Sequence, residues 1–350
     1  MDMNDTPTMN PIVSGAQRVR GISGSTLKLI AIFTMLIDHT AATILDKTLI
    51  ARGMYSLNPT DTVAVAQFYA DNGWIYAINI IMRLIGRIAF PIFCFLLVQG
   101  FLHTRNVTKY AIRLALFAAI SEIPFDLAFK NKILEYSYQN VFFTLFIGLL
   151  TMIGFQTLKL KVDSIQEKKP WLPVLAVMGT LAIGGYVAFT MHSFVMAVAN
   201  SVSALGVISS NPGIGFSIVL AIVFTVIALI VYAVMCKQTS LQVASLRFAD
   251  LLVLIIGMSL ANLLHTDYSG FGVLTVAVVY GLRKSYFRSM VGACITLTVM
   301  TMMEFTCFVN LIIIRFYNGT RGLNLKYIFY AFYPVHLLIL YLICRAMNIT

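Results

Sequence analysis

The stretch TMLIDHTAATIL sets Asp38 beside His39 inside an otherwise apolar run. Two further runs carry ionisable residues at helical spacing: Arg83 and Arg87 in MRLIGRIAF, and Glu122 and Asp126 in AISEIPFDLAF. Each pair is four residues apart, hence on one helix face. An imidazole can take and return a proton near neutral pH, a carboxylate can orient it, and a guanidinium can face developing negative charge. Ionisable groups in hydrocarbon are costly, so by default they pair, line a wet cavity or act in function. The same set also fits a buried ionic lock holding three helices in register. Adjacent residues on a helix point about 100° apart, which leaves Asp38 poorly placed to orient His39 and looks to another helix for the orienting carboxylate.

The chain that must position these groups is 350 residues long, 59% hydrophobic and 11% charged, with a mean hydropathy of +0.86. That much apolar surface exceeds one water-soluble core, so the expected class is an all-α, polytopic integral membrane protein. The formal net charge of +11 and pI near 9.5 come from Lys and Arg in short links between apolar runs. This is the positive-inside pattern rather than a nucleic-acid surface. Cys94, Cys236, Cys294, Cys307 and Cys344 are isolated, with no C-x-x-C spacing, so neither a disulfide framework nor a metal site is expected. Residues 1–26 read as a polar cytoplasmic segment ahead of an uncleaved first helix, and 27–350 as a single membrane domain.

Apolar stretches of about twenty residues fall near 27–46, 81–102, 110–129, 141–158, 172–191, 214–236, 246–264, 269–282, 289–316 and 327–346, about ten spans. Arg18, Arg20 and Lys28, then His103, Arg105 and Lys109, then Lys159, Lys161, Lys168 and Lys169 mark cytoplasmic links, and the amino terminus is placed inside. The link 47–80 is then external, with LNPTDT and DNGW as turns. Two features resist the scheme: 269–282 is short, and Arg315, Arg321 and Lys326 fall outside if every segment crosses. The stretch 193–213 fits a partial span or a re-entrant piece.

At ~1.5 Å per residue, His39 is ~18 Å from Leu27, in the outer half of the first span. The next two spans run inward and outward, so Arg83, Arg87, Glu122 and Asp126 share that level. Pro91 and Pro124 are expected to kink their helices and free backbone groups to line a cavity. Arg105, Lys109 and Arg113 recur every four residues, a row suited to a phosphorylated ligand or to plain anchoring. No Walker loop, G-x-G-x-x-G, H-E-x-x-H or G-x-S-x-G is present, which removes the usual supports for nucleotide hydrolysis, hydride transfer and nucleophile-elbow hydrolysis.

LKLIAIFTMLIDHT, MRLIGRIAFPIFCFLLVQGFLHTRNVTKYAIRLALFAAISEIPFDLAF, QNVFFTLFIGLL, HTDYSGFGVLTV and YNGTRGLNLKYIFYAFYPVHLLILYLI together resemble the TraX family, named for the conjugal pilin acetylase. The likeness is close over 27–158 and 262–346, with little to match across a divergent middle section, 170–245. It implies a membrane-embedded acetyltransferase that uses acetyl-CoA, with functional positions Asp38, His39, Arg83, Arg87, Glu122, Asp126, Asn140, Asp267, Tyr268 and His336. The implied acceptor is a cell-envelope peptide, such as a pilin amino terminus, or a glycan.

On that reading His39 is the base that deprotonates the acceptor, and Arg87 or Asn140 faces the oxyanion. Glu122 or Asp126 fixes the imidazole tautomer, with Arg83 keeping that carboxylate ionised. A covalent route through acetylated His39 stays open. His336 is either a second base or a hydrogen-bonder that closes the cavity, and HTDYSGFG, with His265, is either a re-entrant lining or a tight turn. The alternatives are a proton-coupled transporter, for which the same buried set is a relay, and a non-catalytic assembly factor. The partners expected are acetyl-CoA, the bilayer and an envelope acceptor, with no nucleic acid and no metal.

Overall fold

The computed structural model describes residues 21–163, 170–203, 214–323 and 326–349. Arg18, Arg20, Lys168, Lys169 and most of the polar amino-terminal segment lie outside these. The described residues are helical throughout their ordered elements and fall into two compact units, one drawn from residues up to 149 and from 264 onward, the other from within 150–263.

In the first unit, α1 (Gly24–Thr40) passes through a π-turn (Ala41–Leu45) into α2 (Asp46–Ala51). Asp61 caps α3 (Thr62–Gly86) through Ala64 N–H, so LNPTDT is a turn as expected. DNGW is not: it lies within α3, and the link 47–80 is a helical hairpin rather than a loop. Leu49, Phe68 and Ile75 pack between its arms, while Asn72 and Asn79 bond to Arg52 and Asp46. Apolar and polar contacts together hold helix where turn-forming residues suggest a break.

α3 stops at Arg87, and α4 (Ala89–His103) resumes two residues later. Pro91 has no N–H to offer the Arg87 carbonyl, and its ring crowds that position, so the break falls where proline chemistry places it. Ile88 N–H bonds to Ile85 O instead of reaching back four residues. The Leu84 carbonyl left over accepts from the Thr306 hydroxyl at 2.7 Å, and Asn310 Nδ2 donates to Ile88 O at 3.0 Å. A broken helix survives away from water only when such groups find partners.

α5 (Val107–Lys130), with Pro124 inside it, leads to the segment 131–140 and to α6 (Val141–Asp163), whose first turns belong to this unit. After the second unit the chain returns through residues 264–268 to α10 (Ser269–Gly281). Gln139 and Thr266 form a parallel bridge, with Gln139 N–H on His265 O and Asp267 N–H on Gln139 O. The starts of α6 and α10 therefore share one end of the unit. His265, Tyr268 and Ser269 all have positive φ, as a sharp reversal demands.

α11 (Tyr286–Met300) then ends at Thr301, and a 3₁₀ segment (Met302–Val309) and α12 (Asn310–Arg315) follow. Tyr317 bridges to Ile22, and Gly24 and Ser25 N–H bond to Thr320 O and Arg321 O. Residues 316–323 thus sit beside the start of α1. Tyr286, at the start of α11, packs on Tyr317 as well. The segment 286–315 leaves one end and comes back to it, so the expected span 289–316 is a re-entrant hairpin. This return resolves the misplaced Arg315, Arg321 and Lys326: they remain at the end where α1 starts. α13 (Lys326–Ala346) finally runs along α5, with Phe117 stacked on Tyr330.

The second unit contains α7 (Trp171–Ser203), α8 (Ile214–Gln238) and α9 (Leu241–Leu263) with the remainder of α6. The start of the stretch 193–213 belongs to α7, and 204–213 lies outside the described residues. α8 exposes Ile218, Val219, Ile222, Val226 and Ile230, the pattern of a helix surrounded by lipid.

Seven helices among the described residues are long and apolar enough to cross a membrane, fewer than the ten expected. The difference has three sources: α5 carries Arg113, Glu122 and Asp126, α10 has 13 residues, and 286–315 folds back. Together these elements define a multi-pass membrane protein. In sealed vesicles, cysteines replacing exposed Leu282 and Thr320 should react from one face and a cysteine replacing exposed Tyr136 from the other. Labelling of position 320 from the face that labels 136 would mean that 286–315 crosses as a span.

Candidate functional site

His39 lies two residues before the π-turn, where the hydrogen-bond register slips and the Thr43 hydroxyl takes up the His39 carbonyl at 2.6 Å. Its Nδ1 is 2.7 Å from Nε2 of His336 on α13, and His336 Nδ1 is 2.8 Å from the Phe332 carbonyl. These contacts fix the tautomers of the neutral pair. A carbonyl only accepts, so His336 carries hydrogen on Nδ1 and a lone pair on Nε2, and His39 Nδ1 is the donor. The basic nitrogen left over is His39 Nε2. The ring planes are within 8° and the centroids 5.0 Å apart, the separation of an edge-to-edge hydrogen bond rather than a face-to-face stack. Phe129 and Tyr333 meet the His39 ring edge-on at 5.5 and 5.9 Å.

Three elements supply the adjoining ionic network: α1, the end of α3 and the re-entrant hairpin. Asp38 Oδ2 accepts from Arg83 at 2.8 Å, and Oδ1 from Arg87 at 2.6 Å. Arg87 extends a second nitrogen to Glu304 at 2.9 Å, and its Nε donates to the Arg83 carbonyl at 3.0 Å. Two carboxylates and two guanidiniums alternate, so the set carries no net charge when all are ionised. Glu304 is fully buried and arrives on the re-entrant hairpin. Gly86 is needed at the crossing, because a Cβ there would collide with the Asp38 side chain.

Glu122 and Asp126 do not meet His39, and the expected orienting carboxylate is replaced by His336. Glu122 accepts from the backbone and side-chain amides of Asn140, whose Nδ2 also donates to Ala118 O at 2.9 Å. Asp126 accepts from Glu135 N–H at 2.8 Å. Both carboxylates therefore fasten the segment 131–140 to α5, and Asn140 is occupied rather than free to face an oxyanion. Arg83, expected to hold one of them ionised, serves Asp38 instead.

Asp267 accepts from the Tyr138 hydroxyl at 2.7 Å, and its backbone carbonyl accepts from Thr144. Burial pushes the Asp267 carboxyl upward, against the lowering effect of that hydroxyl and of Arg87. Tyr268 stacks on Phe90 at 3.7 Å with planes within 4°, placing its phenol in the field of Arg87 and Glu304. Among the mostly exposed residues 131–138, Lys132 and Ser137 donate to Glu135 and hold its carboxyl below the usual range.

His103, Arg105, Lys109 and Arg113 lie elsewhere, around the end of α4 and the start of α5 at the end where α1 begins. His103 Nδ1 bonds to Gln99 O, and Arg105 and Lys109 are exposed. Among the described residues, no three His, Cys, Asp or Glu side chains converge in a way that could hold a metal.

Two groups escaped sequence reasoning. Glu304 is a lone carboxylate in MTMMEFTCF, a run otherwise apolar, and the cost of a charge in hydrocarbon is the signal that would have found it. Tyr333 lies three residues before His336 and resembles any other aromatic of an apolar helix.

Fold and site together define a multi-pass α-helical membrane protein with a coupled histidine pair beside a buried ionic network. A family model described as TraX protein matches residues 23–205 and 203–344. The chain belongs to the TraX family, and the match runs through the middle section that looked divergent. A Dichelobacter nodosus protein named "Probable fimbrial assembly protein FimC, serogroup H1" is 33% identical over 135 residues, 36% of this chain and 44% of that protein. The aligned part thus spans less than half of that relative. No solved structure matches.

Arg87→Ala leaves Asp38 with one cation and Glu304 with none, and breaking a buried pair in this way costs about 3–5 kcal/mol. The variant should melt well below the parent in the same detergent, whereas replacing Asp38, Arg83, Arg87 and Glu304 together by apolar residues should restore part of the loss. Equal melting of parent and Arg87→Ala would show that the network faces water.

Proposed function

We propose that the protein is a membrane acetyltransferase that moves an acetyl group from acetyl-CoA to an amine or hydroxyl of a cell-envelope acceptor. The observation that carries this reading is the hydrogen-bond chain from Phe332 O through His336 to His39, which puts hydrogen on His39 Nδ1 and leaves Nε2 as the basic nitrogen of the pair. The fimbrial assembly named for the Dichelobacter relative supports an acceptor of pilus type.

The chemistry follows from that nitrogen. His39 Nε2 takes the proton of the acceptor N–H or O–H as the acceptor atom bonds to the thioester carbonyl carbon. The imidazolium formed keeps its Nδ1–H on His336, so charge develops in a ring whose orientation is already fixed. When the tetrahedral centre collapses, the carbon–sulfur bond breaks and Nε2 returns the proton to the leaving thiolate. The oxyanion needs a donor, and all three nitrogens of Arg87 are already bound to Asp38, Glu304 and the Arg83 carbonyl. Arg83 spends one N–H on Asp38, its side chain is 30% exposed, and it lies in the electrostatic reach of His39. Arg83 is therefore the cation available to the developing charge. Asp38 and Glu304 position the two arginines and take no proton.

Purified protein in nanodiscs, given radiolabelled acetyl-CoA and envelope extract, should label an acceptor. His39→Ala should lower the rate by about 10²-fold or more while the protein still inserts and folds. His336→Phe, which keeps a ring beside Phe332 and Tyr333 but cannot accept from His39, should lower kcat more than it raises KM. Wild-type turnover in His39→Ala would remove this residue from the chemistry. Proton-coupled solute flux in proteoliposomes without label transfer would favour a transporter.

A further inference from the structure

The cations at the end where α1 starts are arranged in a way that the transfer chemistry above does not use. α4 ends there, and its last turn is packed on two sides. Tyr110 of α5 lies against Gly100, where a Cβ would come within 2.9 Å of the tyrosine hydroxyl. Tyr280 of α10 meets Phe101 edge-on at 5.8 Å. The turn therefore joins two basic segments far apart in sequence, 105–113 and 283–288, which contribute Arg105, Lys109 and Arg113 from one side and Arg283, Lys284 and Arg288 from the other.

Neither segment contains an aspartate or glutamate, and among the described residues none of the six cations has an ion-pair partner. The opposite end differs, for Lys132 pairs with Glu135 at 2.6 Å. Two of the six are held in place rather than waving in solvent. Arg283 lies over the Tyr280 ring at 4.2 Å with one nitrogen on the Tyr280 carbonyl at 2.7 Å. The Arg113 Nε is buried without a hydrogen-bond partner, within the field of Tyr110 and Tyr330. Anchoring to a lipid surface needs only mobile, hydrated charge. Fixed guanidiniums with unspent donors, four of the six cations being arginine, suit the paired oxygens of phosphoryl groups.

We infer that these two segments form one binding site, on either side of the last turn of α4, for a soluble ligand bearing several phosphoryl groups. This rests on the acetyltransferase reading for its biological ligand, since coenzyme A carries a diphosphate and a 3′-phosphate at the end remote from its thiol. Binding itself is independent of transfer and can be measured alone.

The test uses the full chain in nanodiscs of neutral phosphatidylcholine, titrated with coenzyme A and separately with inorganic pyrophosphate. Both should bind, more weakly as salt rises. Arg105→Gln with Lys109→Gln should weaken coenzyme A binding about tenfold or more, and so should Arg283→Gln with Lys284→Gln and Arg288→Gln, each at an unchanged melting temperature. Absence of binding to wild type, or loss from one segment alone, overturns the two-sided site. If neither probe binds and the substitutions alter only retention of phosphatidylglycerol, the patch serves lipid headgroups and the inference is wrong. If the substitutions only invert insertion, read from labelling of a cysteine at position 320, the charges set orientation and nothing more. Coenzyme A binding without any acetyl transfer would keep this site and overturn the proposed function.

Discussion

Arg87 is the point at which three parts of the chain become one structure. Its guanidinium reaches Asp38 on α1 and Glu304 on the re-entrant hairpin, while its Nε returns to the carbonyl of Arg83. Removing two carboxylates and two guanidiniums from water is expensive, and only their mutual pairing offsets that cost. The geometry must therefore be held closely: Gly86 lets α1 and α3 approach, Pro91 ends α3 beside Arg87, and Thr306 and Asn310 satisfy the carbonyls exposed by that break. The hairpin supplies a counter-charge and a set of backbone partners through the same few residues. Its short and irregular helices follow from that double task.

The histidine pair depends on this frame without belonging to it. Asp38 is committed to arginines, which explains why its neighbour in sequence finds a partner on α13 instead. An imidazole oriented by another imidazole has no adjacent anion to stabilise it when protonated. In the proposed acetyl transfer its counter-charge would come from the reacting groups themselves, which would tie proton uptake to the moment when an oxyanion forms. The backbone carbonyl of Phe332 ends the chain with a group that does not titrate, so the direction of the hydrogen bonds is set by the helix.

Much of this was legible in the residues. Ionisable residues in three apolar runs, two of them paired at four-residue spacing, announced a common polar layer, and Asp38, Arg83 and Arg87 do meet. Glu122 and Asp126 showed the same spacing and serve another purpose, because a helical face says which residues travel together and not what lies opposite. The helix through DNGW was hidden by local turn chemistry, which the packing of Leu49 with Phe68 and Ile75 overrides. The hairpin 286–315 was hidden by length: about thirty mostly apolar residues look like one crossing, and only the misplaced Arg315, Arg321 and Lys326 hinted that the chain turns back. The His39–His336 contact had no local signal, since 297 residues separate the partners.

That separation also bears on how the protein is made. The unit that holds the site is assembled from residues up to 149 and from 264 onward, and 150–263 comes between them in sequence only. Domains generally form as units during synthesis, amino terminus first. Here α1 enters the bilayer with an unmatched imidazole and an aspartate, and three arginine and glutamate partners arrive in turn from residues 83, 87 and 304. His39 gains its hydrogen-bond acceptor only when α13 has left the ribosome. A chain that stops short of α13 thus holds the imidazole but not the partner that fixes its tautomer, and the oriented histidine pair exists only after α13 has joined α1.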